Sequence, residues 1–193
     1  SLDLYATTGS GDYTLSGITG EAKCTTGSGD VKLENVNGSI DATSGSGNFS
    51  ITKSKGKINV TSGSGKLKIS ESVAGIQATT GSGSISATSL STDGECSFTT
   101  GSGNVEVQLA SSPKHDMSVT SGSGDAVVNF NGNEINGEIV MKASKKHGNI
   151  EAPFEFDKTE EINHSGNDVT IQKTAIKGTG KPRIAISTGS GDA

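Results

Sequence analysis

Tryptophan is absent and aromatic residues make up only 4% of the 193 residues. Large aromatic anchors therefore cannot carry the core of this chain. Two cysteines, Cys24 and Cys96, are too few for a disulfide scaffold. Three histidines, His115, His147 and His164, stand far from them in sequence, so no zinc-binding spacing exists either. No metal and no cofactor is expected. The net charge is -5, with acidic and basic residues interspersed. That pattern offers no basic face for nucleic acid or anionic lipid, and no nucleic-acid partner is expected. No apolar run approaches the roughly 18 residues of a membrane helix. Ser1 to Ala6 show no basic region followed by an apolar one, so membrane insertion by this segment is not expected.

What the chain has in abundance is glycine, 28 residues of it, most of it at nearly fixed intervals. The stretch Thr7, Thr8, Gly9, Ser10, Gly11, Asp12 returns with its first glycine at Gly9, Gly27, Gly45, Gly63, Gly81, Gly101, Gly122 and Gly189. The period is 18 residues four times, then 20, then 21, then a gap of 67. Two degraded copies can be placed inside the gap. One is Lys146, His147, Gly148, Asn149, followed by Ile150 and Ala152; the other is Ser165, Gly166, Asn167, Asp168, followed by Val169 and Ile171. Ten turns then cover the chain as a single domain, residues 1–193, with regular coils over 1–100 and longer, irregular corners over 101–193.

Apolar residues occupy the fifth and third positions before each origin and the fourth and sixth after it. In the third copy these are Ile40, Ala42, Phe49 and Ile51; in the fourth, Ile58, Val60, Leu67 and Ile69. A period of two on both sides of the turn predicts strands buried on one face. A second corner is expected near Gly20, Gly38, Gly56 and Gly75. Neither strand of a unit can bury its apolar face alone, but stacking the units in parallel gives each strand a neighbour. The fold class is therefore all-β, a single-stranded parallel β-helix (β-solenoid) of about ten coils of 18 to 24 residues. An antiparallel sandwich would explain the alternation but not the recurrence of identical turn residues. At about 4.8 Å per layer the rod would be on the order of 45–50 Å long. Cys24 and Cys96, both inward, would lie four layers apart, which excludes a disulfide between them. The repeat stops mid-coil at both Leu4–Ala6 and Gly191–Ala193, which would expose unpaired backbone and invite end-to-end or side-by-side self-association.

The search for chemistry yields little. Aspartates after the second glycine resemble a calcium ladder, but Lys66 and Ser84 interrupt the row Asp12, Asp30, Asn48, Lys66, Ser84, Asn104. Asp, Asn and Ser at that place are expected to bond locally to turn backbone. A phosphate loop would need a following helix and a Lys with Ser/Thr, which are missing. The Thr row Thr7, Thr25, Thr43, Thr61, Thr79 suits β-structure, and charged neighbours Lys23 and Asp41 argue against an ice-binding face. Glu151, Glu155, Asp157, Glu160, Glu161 and His164 form an acidic stretch, and His115 stands beside Asp116. A carbohydrate-active enzyme using the acidic corner region 151–164 is the alternative reading, since glycoside hydrolysis needs paired carboxylates. The enlarged corners Ala110 to Asp116, Asn131 to Glu138, Phe154 to Thr159 and Lys173 to Pro182 swell on one edge, where a solenoid commonly carries a binding surface. No catalytic residue is assigned and no enzymatic activity is expected.

The recurring Thr-Ser-Gly-Ser-Gly-Asp/Asn followed by alternating Val, Ile and Leu, and the closing run Lys181 to Asp192, resemble the adhesin families of bacterial β-strand-repeat domains. These are domains of unknown function related to autotransporter-adhesin heads. The resemblance covers essentially the whole chain, although Lys146 to Asn149 departs from the motif. It implies a right-handed β-helix, a location in the cell envelope, at the cell surface or secreted, and a role in adhesion or surface sensing. The partner would be a host or cell-surface glycan or protein.

Overall fold

Alternating apolar residues on either side of a glycine corner produce strands and no helices among the described residues, which are 2–164 and 168–193 of a computed structural model. The first coils pair one longer strand with one short strand: β1 (Leu4–Thr8), β2 (Tyr13–Ser16), β3 (Thr19–Thr26), β4 (Val31–Glu34), β5 (Asn37–Ser44), β6 (Phe49–Thr52), β7 (Lys55–Ser62), β8 (Leu67–Ser70) and β9 (Val73–Thr80). β10 (Ile85–Thr100) runs through both positions, and β11 (Val105–Leu109), β12 (Met117–Ser121) and β13 (Ala126–Asn129) follow. The chain closes with β14 (Gly137–Ser144), β15 (Lys158–Asn163), β16 (Val169–Lys177) and β17 (Arg183–Thr188). The β-solenoid expectation holds. Like residues stack in parallel register: Ile40 lies between Ala22 and Ile58, and Phe49 between Val31 and Leu67.

Two parallel ladders face each other across a narrow core. The long strands build one, and β2, β4, β6, β8, the first part of β10, β11 and β13 build the other. From the second coil to Leu109 the inward residues read from the sequence are buried, including Cys24 and Cys96, which are free thiols, while Leu4 and Ala6 of the first coil and Ala152 and Ile171 of the last part are half-buried. Phe49 and Phe98 are the largest of the fully buried side chains. Each buried Leu, Ile or Phe contributes about 1.5–3 kcal/mol relative to exposure, which compensates for the scarcity of aromatics.

The glycine corner is dictated by stacking more than by turn conformation. A methyl on Gly29 would run into the carbonyl oxygen of Gly11, and one on Gly47 into that of Gly29. Corner backbone lies directly on corner backbone, so a side chain has no room. Gly9, in the first coil, has nothing within 4 Å of the corresponding point.

The residue just before each corner is a third inward position that the apolar pattern did not reveal. Thr26, Ser44, Ser62, Thr80, Thr100, Ser121 and Thr188 are all buried. The Ser62 hydroxyl accepts from Gly65 N–H at 2.8 Å and donates to Gly47 O of the preceding coil at 3.1 Å. Thr80 repeats the pattern with Gly83 N–H and Gly65 O. Each hydroxyl thus closes its own corner and bolts it to the one before.

The second corner falls three or four residues earlier than expected. Its hinge is a left-handed residue at Gly17, Asn35, Lys53, Glu71 and Ser89, with φ between 50° and 70°. Gly20, Gly38 and Gly56 instead lie inside β3, β5 and β7. Only Gly17 and Asn35 are residue types that favour this conformation, so the hinge leaves a weak signal in sequence. Ser54 and Ser72, buried just after it, accept from Val36 N–H and Ser54 N–H of the coils before.

The C-terminal third does not stack in chain order. β17 inserts between β12 and β14, parallel to both: Met117 pairs with Ile184, and Ile184 with Ile139. The long-strand ladder therefore holds nine parallel rungs in the order β1, β3, β5, β7, β9, β10, β12, β17, β14. β16 then pairs antiparallel to β14, and β15 antiparallel to β16. The ten-coil arrangement is corrected accordingly. The copy proposed at Lys146 stacks as a corner, since Asn149 N–H bonds to Asp192 Oδ1 at 2.9 Å. Of the copy proposed at Ser165, Gly166, Asn167 and Asp168, the first three lie outside the described residues. The strands on either side of it, β15 and β16, form an antiparallel pair rather than a coil. The outer strand β15 carries Lys158, Glu160 and Glu161, charges of the kind that blunt a sheet edge.

Candidate functional site

The repeated corner carries polar groups, and the fold uses them. Asp30 N–H bonds to Asp12 Oδ1 and Asn48 N–H to Asp30 Oδ1, both at 2.8 Å; Lys66 N–H bonds to Asn48 Oδ1 at 2.9 Å. The row resumes with Asn104 N–H on Ser84 Oγ at 3.3 Å, and continues with Asp125 N–H on Asn104 Oδ1 and Asp192 N–H on Asp125 Oδ1. These carboxylates and amides reach across to the next coil instead of closing their own turn, which corrects the expectation of local bonds. Lys66 breaks the row because its side chain has no acceptor oxygen. Among the described residues no cluster of His, Cys, Asp and Glu is disposed to hold a metal ion.

The long corners meet on one edge around an open polar cleft. Glu95, Ser112 to Asp116, Asn136, Lys181 and Pro182 line a depression of about 590 Å³. Three of the four enlarged corners contribute to it. Ser112 Oγ donates to Glu134 O at 2.7 Å, tying the first long corner to the second. Asp116 Oδ1 accepts Arg183 N–H at 2.8 Å, tying it to the start of β17. Asp116 is thus occupied in holding the edge together, and His115 beside it lines the cleft with Lys114 and Lys181. The convergence was readable only as a coincidence of corner lengths, because the contact depends on β17 lying next to β12.

A second depression, about 600 Å³, runs along the short-strand ladder past Asp12, Asp30, Lys32, Asn48, Lys66 and Lys68. It crosses five coils with one repeated geometry.

The acidic stretch 151–164 does not gather into one site. Glu151 accepts from Asn149 Nδ2 at 2.8 Å; Asp157 Oδ2 accepts Ile176 N–H at 2.7 Å. Glu160 pairs with Lys158 at 2.8 Å and Glu161 with Lys145 at 2.7 Å, while His164 Nε2 meets Thr170 Oγ1. Lys173 and Lys177 sit over the rings of Phe156 and Phe154. Glu151, Asp157, Glu160 and Glu161 thus each have a partner of their own, on different strands or turns, while Glu155 is met only at its main-chain carbonyl, by Lys177 Nζ at 3.5 Å.

The two cysteine thiols are buried in the core, away from either depression, whereas half-buried Tyr13 lines the one along the short-strand ladder. Burial pushes the Tyr13 phenol up, with the Cys24 thiol adding to the shift, and pushes the Cys24 thiol up as well. The Tyr13 hydroxyl is buried and has no hydrogen-bond partner. Burial pushes the Cys96 thiol up to about 11. Raised thiols of this kind are poor nucleophiles at neutral pH.

The stacked corners, twin parallel ladders and edge cleft define a β-solenoid repeat domain. The family profile described as Toastrack DUF4097 matches residues 2–151. That match spans most of the chain, and the protein belongs to this family of unknown function. No curated protein and no solved structure matches the chain.

Proposed function

We propose that this protein is a non-enzymatic binding scaffold of the bacterial cell envelope, cell surface or secreted compartment, and that it engages a surface glycan or protein through its long-corner edge. The observation that carries this reading is the cleft at Ser112 to Asp116. There the repeat abandons its minimal corner, spends extra residues, and turns polar and charged side chains outward. Elsewhere the polar groups of the corner are consumed in holding coil to coil, so they are not free to recognise a ligand. The mixed charges of Lys114, Glu95 and Lys181, with the His115 imidazole beside them, suit hydroxyl-rich or zwitterionic partners better than a polyanion. An array of glycans and matrix proteins, probed with the parent chain and with a K114A/H115A/K181A variant, tests the reading. Binding lost in the variant, with thermal stability unchanged, supports it. Binding that survives the triple substitution undiminished places the recognition surface elsewhere and rejects this edge.

A further inference from the structure

The mixing of charge along the chain has one local exception. The coil from Lys53 to Ser70 carries five lysines, Lys53, Lys55, Lys57, Lys66 and Lys68, and no acidic residue stands between Asp41 and Glu71. All five are exposed, and among the described residues none is in an ion pair. Lys66 and Lys68 line the depression along the short-strand ladder, Lys53 is the left-handed hinge of the second corner, and Lys55 and Lys57 open β7 on the long-strand side. They make a belt that runs around the rod rather than along it.

The coils on either side are almost uncharged where the belt runs. Lys55 lies between Asn37 and Val73, Lys57 between Ser39 and Gly75, and Lys68 between Ser50 and Ser86. Lys66 follows Asn48, and the hinge before Lys53 is Asn35. Glu71, the hinge after Lys53, is the one acidic residue at these places, and no ion pair joins the two. The fold gains nothing from the lysines. The preceding coil fills the same five positions with Asn35, Asn37, Ser39, Asn48 and Ser50 and stacks in the same register. Lys66 breaks the row of side-chain acceptors, and like charges gathered on one coil repel one another. A group kept at a cost to stacking points to a partner of opposite charge.

We propose that the belt holds an unbranched anionic polymer, a polyol or glycan chain bearing phosphate or carboxylate groups. Alternate residues of a strand are about 6.6 Å apart, so the pairs Lys66 with Lys68 and Lys55 with Lys57 meet charges spaced at roughly that interval. The belt passes from the short-strand face round the corner to the long-strand face. A flexible chain follows that curve, whereas a flat membrane meets only part of it. No aromatic side chain is exposed in the belt or on the coils beside it, so the stacking platforms that hold single-stranded nucleic acid are missing. Lysine ammonium groups act as point charges and attract such a chain without the planar recognition that arginine imposes. The belt is separate from the long-corner edge and does not depend on it.

The test measures the affinity of the full chain for fluorescently labelled poly(glycerol phosphate) and polygalacturonate, by anisotropy at low salt. One variant takes its five residues from the preceding coil, K53N/K55N/K57S/K66N/K68S. A second removes as many lysines elsewhere, K23Q/K142Q/K145Q/K146Q/K158Q, for the same change in net charge. At least one polymer is expected to bind the parent, with affinity falling about tenfold or more in the first variant and less than about twofold in the second. The thermal midpoint of the first variant is expected to be unchanged or higher, and the polymer bound more tightly identifies the preferred anionic group. No binding of either polymer, or equal loss in both variants, overturns the proposal. So does tighter belt-dependent binding of phosphatidylglycerol vesicles or of oligothymidylate, which would assign the lysines to a membrane surface or to nucleic acid.

Discussion

The coils up to Leu109 and the chain beyond it solve the same stacking problem in opposite ways. In the first region every coil lies on the one before it, so each corner must present backbone to backbone and glycine recurs without exception. Beyond it, one coil with the defective corner Lys146 to Asn149 is moved to the end of the stack, and the intact corner of Gly189 to Asp192 takes its place against Gly122. A corner that bears side chains can be tolerated where no further parallel coil must settle on it. The difference teaches that the glycine motif is a rule of contact between coils, and that chain order is subordinate to it.

The largest effect that would sharpen this comparison is steric. Gly47→Ala is expected to cost about 3 kcal/mol or more, as overpacking against rigid backbone does, whereas Gly9→Ala, at the open first corner, should cost well under 1 kcal/mol. Denaturant melts of the two variants compare them directly, and equal losses would mean that the glycines serve turn conformation instead. Next in size is the buried hydroxyl. Ser62→Ala leaves Gly65 N–H and Gly47 O without their partner, and a loss of about 1–3 kcal/mol is expected in the same melts. At Cys96, where the period lengthens, the folded state holds the proton more tightly than the unfolded chain, whose thiol titrates near 9. The resulting stabilisation is complete below about pH 9 and disappears as pH rises through about 11. The Cys96→Ala variant should therefore lose less stability over that window than its parent, measured as thermal midpoint against pH. Smallest is the repair of the side-chain row: Lys66→Asn supplies an acceptor for Ser84 N–H, and a gain of about 0.5 kcal/mol is expected.

Much of the first region was legible because its signals are strictly periodic. The inward positions at Ile40, Ala42, Phe49 and Ile51 and the corner itself follow from residue type alone. The buried hydroxyls at Thr26 or Ser62 were hidden by their polarity, although their recurrence one place before every corner was a usable signal. The hinge at Lys53, Glu71 and Ser89 left none, since tertiary stacking imposes a left-handed backbone on residues that do not favour it. In the second region the order of rungs was misread by filling the 67-residue gap in sequence. The clue lay in the corners: Gly189 to Asp192 matches Gly122 to Asp125 residue by residue, and Lys146 to Asn149 does not. The edge cleft was foreshadowed by corner lengths, but its residues become neighbours only through the insertion of β17.

That insertion is the central claim, and disulfide trapping tests it most directly. Thr120 lies beside Ser187, and Ser187 beside Lys142, on adjacent rungs. With Cys24 and Cys96 replaced by alanine, a chain carrying Thr120→Cys and Ser187→Cys is expected to oxidise readily to an intramolecular disulfide. One carrying Thr120→Cys and Lys142→Cys should stay reduced, its cysteines being two strand spacings, about 9.6 Å, apart. The opposite outcome, a bridge from 120 to 142 and none from 120 to 187, would show that the coils stack in chain order and would contradict the account.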